Sequence, residues 1–137
     1  MRTSAERTVN GASATRVVII DDHEIFRAAC RALLRTEGMN VVADLRTSDE
    51  VLAAVGALRP DVAIIDVTPA TGTGFAIARR LRALAAPPIV ILTSSADRGR
   101  FGTLVNGYRF LAKADISATA IAALGFPAWA EPDPREP

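Results

Sequence analysis

The stretch "RVVIIDDHE", Arg16 to Glu24, runs four apolar residues directly into two adjacent carboxylates and a histidine. Val17, Val18, Ile19 and Ile20 do not alternate with polar residues, so the strand they form has both faces covered, as in a parallel sheet between helical layers. Two more runs have the same character, "VAII" at 62–65 and "IVIL" at 89–92. The weaker segments "NVVADL" (40–45) and "RFLA" (109–112) complete a set of five strands.

Between these strands the apolar residues recur at helical spacing. From Glu24 to Thr36, the residues Ile25, Ala28, Ala29, Ala32 and Leu33 make one expected buried stripe, ended by Gly38. Thr47 and Glu50 have capping-box spacing, and Val51, Leu52, Val55 and Leu58 follow as a core face that Pro60 stops. A third helix is expected from Gly74 to Ala86, with Phe75, Ile77, Ala78, Leu81 and Leu84 inward and Arg79, Arg80 and Arg82 in solvent; Pro87 and Pro88 end it. The segment "DRGRFGTLVNGY" carries Gly99, Gly102 and Gly107, each costing a helix about 1 kcal/mol against alanine. The fourth helix is therefore expected to be short or irregular, and the last, Ile116 to Leu124, brief. Alternating strands and helices imply right-handed crossovers onto one α/β, doubly wound, mostly parallel sheet.

A chain of 137 residues supports one domain with a substantial core. Apolar residues make up 50% and charged residues 23%, the balance of a globular protein rather than a disordered one. The formal net charge of +1 gives no bulk attraction to nucleic acid or anionic lipid, so neither DNA nor membrane is an expected direct partner. Cys30 has no second cysteine to pair with, which fits a reducing cytoplasm and a packing role. "MRTSAERTVNGASAT" (1–15) lacks an apolar signal core and reads as a disordered arm; "FPAWAEPDPREP" (126–137) reads as a Pro-rich tail, leaving 16–125 as the domain.

All the strands of such a sheet end at one edge, where ligands bind. Asp21 and Asp22 follow the first strand, Asp66 the third, Thr93 the fourth and Lys113 the fifth. No Gly-rich phosphate loop follows the first strand, which disfavours a dinucleotide site. If the first and third strands are neighbours, converging carboxylates repel unless a cation intervenes. Mg²⁺ prefers oxygen ligands and commonly combines one or two carboxylates with phosphate oxygens. Helix capping by Asp21 and Asp22 is the plainer alternative, but it leaves Asp66, Thr93 and Lys113 at the other strand ends without a reason. His23, the one histidine, is expected as an exposed residue at a helix start.

"VVIIDDHEIFR", "PDVAIIDV", "GFAIARRL", "IVILTSS" and "RFLAKADIS" resemble the receiver domain of two-component response regulators, especially those of LuxR-type regulators. The resemblance covers about Arg16 to Leu124. It implies a flavodoxin/receiver-like (βα)5 fold with strand order 2-1-3-4-5. It makes Asp66 the phosphoacceptor, taking phosphoryl from a sensor histidine kinase or phosphotransfer protein. Mg²⁺ would be held by Asp21, Asp22, Asp66 and the backbone carbonyl of Thr68. Lys113 and Thr93 would contact the phosphoryl oxygens, Phe110 would be the aromatic switch residue, and Thr68 and Ser95 would tune water access. The implied protein is a cytoplasmic signalling domain in a phosphorelay, not an enzyme beyond catalysing its own phosphoryl transfer and dephosphorylation, with an unknown output partner and a possible homodimer.

Departures from the family pattern gather around the output face. Pro69 and Ala70 follow Asp66 at +3 and +4, where an apolar residue and proline are usual, whereas Gly74 at +8 matches. The stretch between Thr93 and Lys113 is short and glycine-rich, Arg109 replaces a small residue, and Ala114 replaces a proline, which removes a cis-prolyl bond. These departures support an alternative, a degenerate receiver serving as a phosphorylation-independent interaction or dimerisation module. A phosphohydrolase built on "DVT" (66–68) is a third reading, weakened because Thr68 stands where its second carboxylate belongs. No helix-turn-helix follows, so the expectation is a stand-alone receiver or a piece of a longer regulator.

Overall fold

A computed structural model describes residues 14–124. The tail and the arm before residue 14 lie outside the described residues. Five strands, β1 (Arg16–Ile20), β2 (Asn40–Leu45), β3 (Val62–Asp66), β4 (Ile89–Ser94) and β5 (Arg109–Ala112), form one parallel sheet in the order β2-β1-β3-β4-β5. The order reverses between β1 and β3, so the ends of those two strands flank a crevice.

Alternate strand residues feed two cores, because successive side chains leave a strand on opposite faces. Val18, Ile20, Ala63, Ile65, Val90 and Leu92 pack under α2 (Glu50–Leu58) and α3 (Thr73–Arg82). Val17, Ile19, Ile64, Ile89 and Ile91 pack under α1 (Glu24–Thr36) and α4 (Ala118–Ala122). The continuous apolar runs are thus explained: every position of the central strands is covered from one side or the other.

The roll of α1 differs from the sequence expectation. Cys30 and Leu34 are buried and Phe26 partly so, whereas Ala28, Ala29, Ala32 and Leu33 face solvent and Ile25 is 88% exposed. Alanines contribute little apolar area, so the larger stripe at 26, 30 and 34 wins. Arg27 and Arg31 then fix the roll by reaching Asp44 of β2 at 3.2 and 2.6 Å. Burial pulls the Asp44 carboxyl upward, but hydrogen bonds from Arg31 and Arg27, with their charges, outweigh it and hold the group below its ordinary value.

Other boundaries shift for local reasons. The Thr47–Glu50 capping box does not form: the Glu50 amide donates to Ser48 Oγ at 3.3 Å, and the Thr47 amide is drawn to Asp22. Helix α3 stops at Arg82, short of Ala86, and Arg82 is not a free solvated cation: it stacks 3.9 Å from the Tyr108 ring centre and donates to the Gly107 carbonyl at 2.7 Å. The expected fourth helix is a 3-10 segment, Arg98–Val105, broken at Gly102, whose φ of 57° and ψ of −126° are not helical. Arg109 is half-buried on β5 and donates from Nε to the Leu124 carbonyl at 2.5 Å.

Cys30 sits in the α1 core, 4% exposed, and its thiol is pushed up to about 11, first by burial and then by the nearby Asp21 charge, with Lys113 opposing. Thiolate is therefore scarce at neutral pH. The native protein should leave a disulfide-exchange thiol reagent unconsumed over minutes at pH 7.5 and react with one equivalent once urea unfolds it; rapid native labelling would contradict this packing.

Candidate functional site

The site lies at the carboxyl ends of β1, β3, β4 and β5. Asp21 follows β1 and is 0% exposed. Its amide donates to the Leu45 carbonyl at 2.9 Å, which fixes the start of the loop. Its Oδ1 accepts the His23 amide at 2.7 Å and lies 2.8 Å from His23 Nδ1. Its Oδ2 lies 2.8 Å from Lys113 Nζ, so this buried oxygen is met by an ammonium counter-charge.

Asp66 is the last residue of β3, and its Oδ1 is 3.3 Å from the same ammonium. Burial raises the Asp66 carboxyl above its ordinary range, the neighbouring Asp21 charge raises it further, and Lys113 and His23 pull against them. Thr93 stands in register with Asp66 on β4, 1% exposed, and its Oγ1 has no hydrogen-bond partner. In-register neighbours on parallel strands share a face, so this orphaned hydroxyl is beside the carboxylate. Lys113, the first residue after β5, also places Nζ 4.3 Å from the Phe26 ring centre, a cation–π contact.

Asp21, Asp66, Thr93 and Lys113 are thus brought together, and other expected site residues are placed differently. Asp22 is exposed and its Oδ1 accepts the Thr47 amide at 2.8 Å, toward the loop after β2. Thr68 Oγ1 is engaged with Thr71, 3.1 Å from its hydroxyl and 3.2 Å from its amide, in the turn that carries Pro69 and Ala70. Ser95 is exposed. Phe110 is partly buried, its ring 5.7 Å from that of Phe101, which in turn meets Phe75 at 5.9 Å.

Two residues gain a place that sequence reasoning did not give them. His23 is exposed at the start of α1, as expected, yet its ring also reaches the carboxylates: one ligand atom each from Asp21, His23 and Asp66 lies within 4.8 Å of the others. The signal was its spacing, two residues after an aspartate whose side chain turns back to cap it. Arg27 donates from Nη1 to the Asp21 carbonyl at 2.7 Å while holding Asp44, and so ties the acidic loop to β2.

A family model described as "Response regulator receiver domain" matches residues 17–117. The chain belongs to the response regulator receiver family. The receiver is 31% identical over 86 residues to a protein-glutamate methylesterase/protein-glutamine glutaminase of Haloarcula marismortui, covering 63% of this chain and 23% of that one. It is 32% identical over 85 residues to the DNA-binding transcriptional activator EvgA of Escherichia coli K12, covering 62% and 42% respectively. The chain therefore spans less than half the length of these curated relatives. Among solved structures it is similar to the signal receiver domain of the response regulator NarL from Mycobacterium tuberculosis, at 28% identity and a TM-score of 0.63, covering 82% of this chain and 97% of that one. The five-stranded order 2-1-3-4-5 is that receiver fold. Among the described residues, no helix is long and apolar enough to cross a membrane.

The receiver's donor set fits a hard divalent cation. It offers the Asp21 and Asp66 carboxylates close together, with the unpartnered buried Thr93 hydroxyl beside them.

Proposed function

We propose that this receiver accepts a phosphoryl group on Asp66 from a sensor histidine kinase or phosphotransfer protein, with Mg²⁺ held by Asp21 and Asp66. The observation that supports it most is the meeting of Asp21, Asp66 and Lys113 beside the orphaned Thr93 hydroxyl. Asp22 and the Thr68 carbonyl would add oxygens through bound water or a small loop movement.

In this reading an Asp66 carboxylate oxygen attacks phosphorus, the P–N bond of the donor phosphohistidine breaks as the P–O bond forms, and the electron pair returns to the donor ring. Mg²⁺ supplies charge neutralisation for the phosphoryl oxygens. Lys113, already paired with both carboxylates, would turn its ammonium to pair with a phosphoryl oxygen. The Thr93 hydroxyl donates to another, and its movement frees space toward Phe110. Thr68 and Ser95 limit access of water to the acyl phosphate. The working unit is 16–125, cytoplasmic, with chemistry confined to its own phosphoryl group; an output partner or a second copy reads the switched face.

Incubation with a small-molecule phosphodonor and Mg²⁺, followed by intact-mass measurement, should show one phosphoryl adduct on the wild type and none on Asp66→Ala. An unmodified wild type beside a phosphorylated control receiver would refute the proposal. The broken 3-10 segment at Arg98–Val105 favours a second reading, a phosphorylation-independent interaction module. That reading requires no Mg²⁺-dependent spectral response to beryllofluoride.

A further inference from the structure

The stripe that periodicity places on the core side of α1 faces solvent instead. Ile25, Ala28, Ala29, Ala32, Leu33 and Thr36 are all exposed and recur at three and four, so they form one continuous helix face. The Thr36 hydroxyl is turned back onto the helix, donating to the Ala32 carbonyl at 2.8 Å. Three large apolar side chains stand exposed among the described residues, and two of them, Ile25 at 88% and Leu33 at 41%, lie on this face. Single exposed apolar residues are ordinary, whereas a contiguous patch of them marks a contact surface.

The face is complementary to itself. Ile25 and Leu33 are placed symmetrically about Ala29, so an antiparallel second copy of α1 sets Ile25 against Leu33 of that copy while small alanines meet at the crossing. Glu24 and Arg35 are eleven residues apart, close to three full turns, and therefore stand on the same flank of the stripe. A two-fold axis across the helix keeps each flank on its own side and exchanges the ends, so Glu24 of each copy faces Arg35 of the other. Arg35 is exposed and gives one N–H to the Val41 carbonyl at 3.0 Å, which leaves its guanidinium further donors. Glu37, the acid at that end, is turned to α4, where its Oε1 accepts the Ala118 amide at 2.7 Å. A parallel pairing would instead put like-charged ends together and align two helix dipoles.

We infer that α1 is a self-association surface, on which a second copy of this chain docks antiparallel about Ala29. It lies on the opposite side of the sheet from Phe101 and Phe110, and so is separate from the switched face. A helix of 13 residues is about 20 Å long. Such a contact is smaller than the roughly 1,600 Å² of a standard stable interface, so the dimer is weak, with Kd on the order of 100 µM.

Sedimentation equilibrium of the full chain from about 10 to about 500 µM should show the mean mass rising from one chain toward two. Ala29→Glu sets like charges against each other at the crossing, on an exposed position where glutamate suits a helix. It should weaken association at least about tenfold with the melting temperature nearly unchanged. Glu24→Arg should weaken it about fivefold, and Glu24→Arg combined with Arg35→Glu should restore it to within about twofold of wild type. The double exchange leaves both helix ends with the wrong charge for the dipole, so recovery reads the pairing and not helix stability. A wild type that stays monomeric at the top concentration overturns the inference, as does a dimer indifferent to Ala29→Glu. A double exchange as weak as the single one overturns it too, because the ends then do not meet. A monomer whose α1 amide resonances move only when a helical-bundle phosphotransfer domain is added overturns it and gives the face to that partner.

Discussion

Replacing Lys113 with methionine should lower the unfolding free energy by about 3 kcal/mol at pH 7 in chelator, the largest loss expected from any one surface-reachable side chain of the site. The Lys113 ammonium lies 2.8 Å from Asp21 and 3.3 Å from Asp66, whose side chains are 1% and 12% exposed. Methionine keeps an apolar side chain of similar length and removes the ammonium, with its ion pairs and its contact with the Phe26 ring, so the loss reads mainly the electrostatics. What remains is two carboxylates facing each other with little solvent. For a domain of this size the melting temperature should drop on the order of 15 °C. Two rescues follow from the same cause. Asp66→Asn added to Lys113→Met should recover much of the loss, and saturating Mg²⁺ should raise the variant's melting temperature more than the wild type's, because the ion no longer competes with an ammonium.

The pH dependence has a fixed sign. Asp66 has its folded-state carboxyl raised, first by burial and then by Asp21. The folded protein then binds that proton more tightly than the unfolded chain does. Its contribution is fully present below the ordinary carboxylate value and is lost as pH climbs through the raised one. Urea melts across pH 4 to 8 in chelator should show this decline in the wild type, a steeper one in Lys113→Met, and a flatter profile in Asp66→Asn. A Lys113→Met protein within about 0.5 kcal/mol of wild type would mean that the three charges are not coupled.

Such coupling was partly legible in the sequence, because strand ends are easy to find when strands are buried on both faces. "VVII", "VAII" and "IVIL" could only be central strands; Asp66 and Thr93 inherit their positions from strand register, and Lys113 follows directly on β5. The roll of α1 was not legible in the same way. Its alanine-rich face looks apolar by periodicity, whereas Phe26, Cys30 and Leu34 bury more area, and the deciding partners Arg27, Arg31 and Asp44 meet across different elements. The division of Asp22 from Asp21 had the same origin: the Thr47 amide that captures Asp22 is 25 residues away. Local pattern locates elements and their ends; it does not show which of two adjacent side chains a distant loop will claim.

Gly74 offers a second large effect, with opposite sign to a chemically identical change elsewhere. A Cβ at Gly74 would collide with the backbone carbonyl oxygen of Asp66 and lie 3.0 Å from Val67 Cγ1. The first turn of α3 thus packs directly on the chain leaving β3, and only the absence of a side chain permits it. Gly74→Ala should cost about 2 kcal/mol net, since alanine's better helix propensity, at most about 1 kcal/mol, cannot offset overpacking against backbone. At Gly56 in α2, an added Cβ would meet nothing within 4 Å, so Gly56→Ala should stabilise by up to about 1 kcal/mol. Paired urea denaturation of the two variants separates steric placement from propensity. Because the obstructed atom belongs to Asp66, Gly74→Ala should also displace the carboxylate from Lys113 and weaken Mg²⁺ binding, while Gly56→Ala leaves it unchanged. A Gly74→Ala protein that gains stability as Gly56→Ala does would mean that α3 can move away from β3 at little cost, and the position of Asp66 would then owe nothing to that contact.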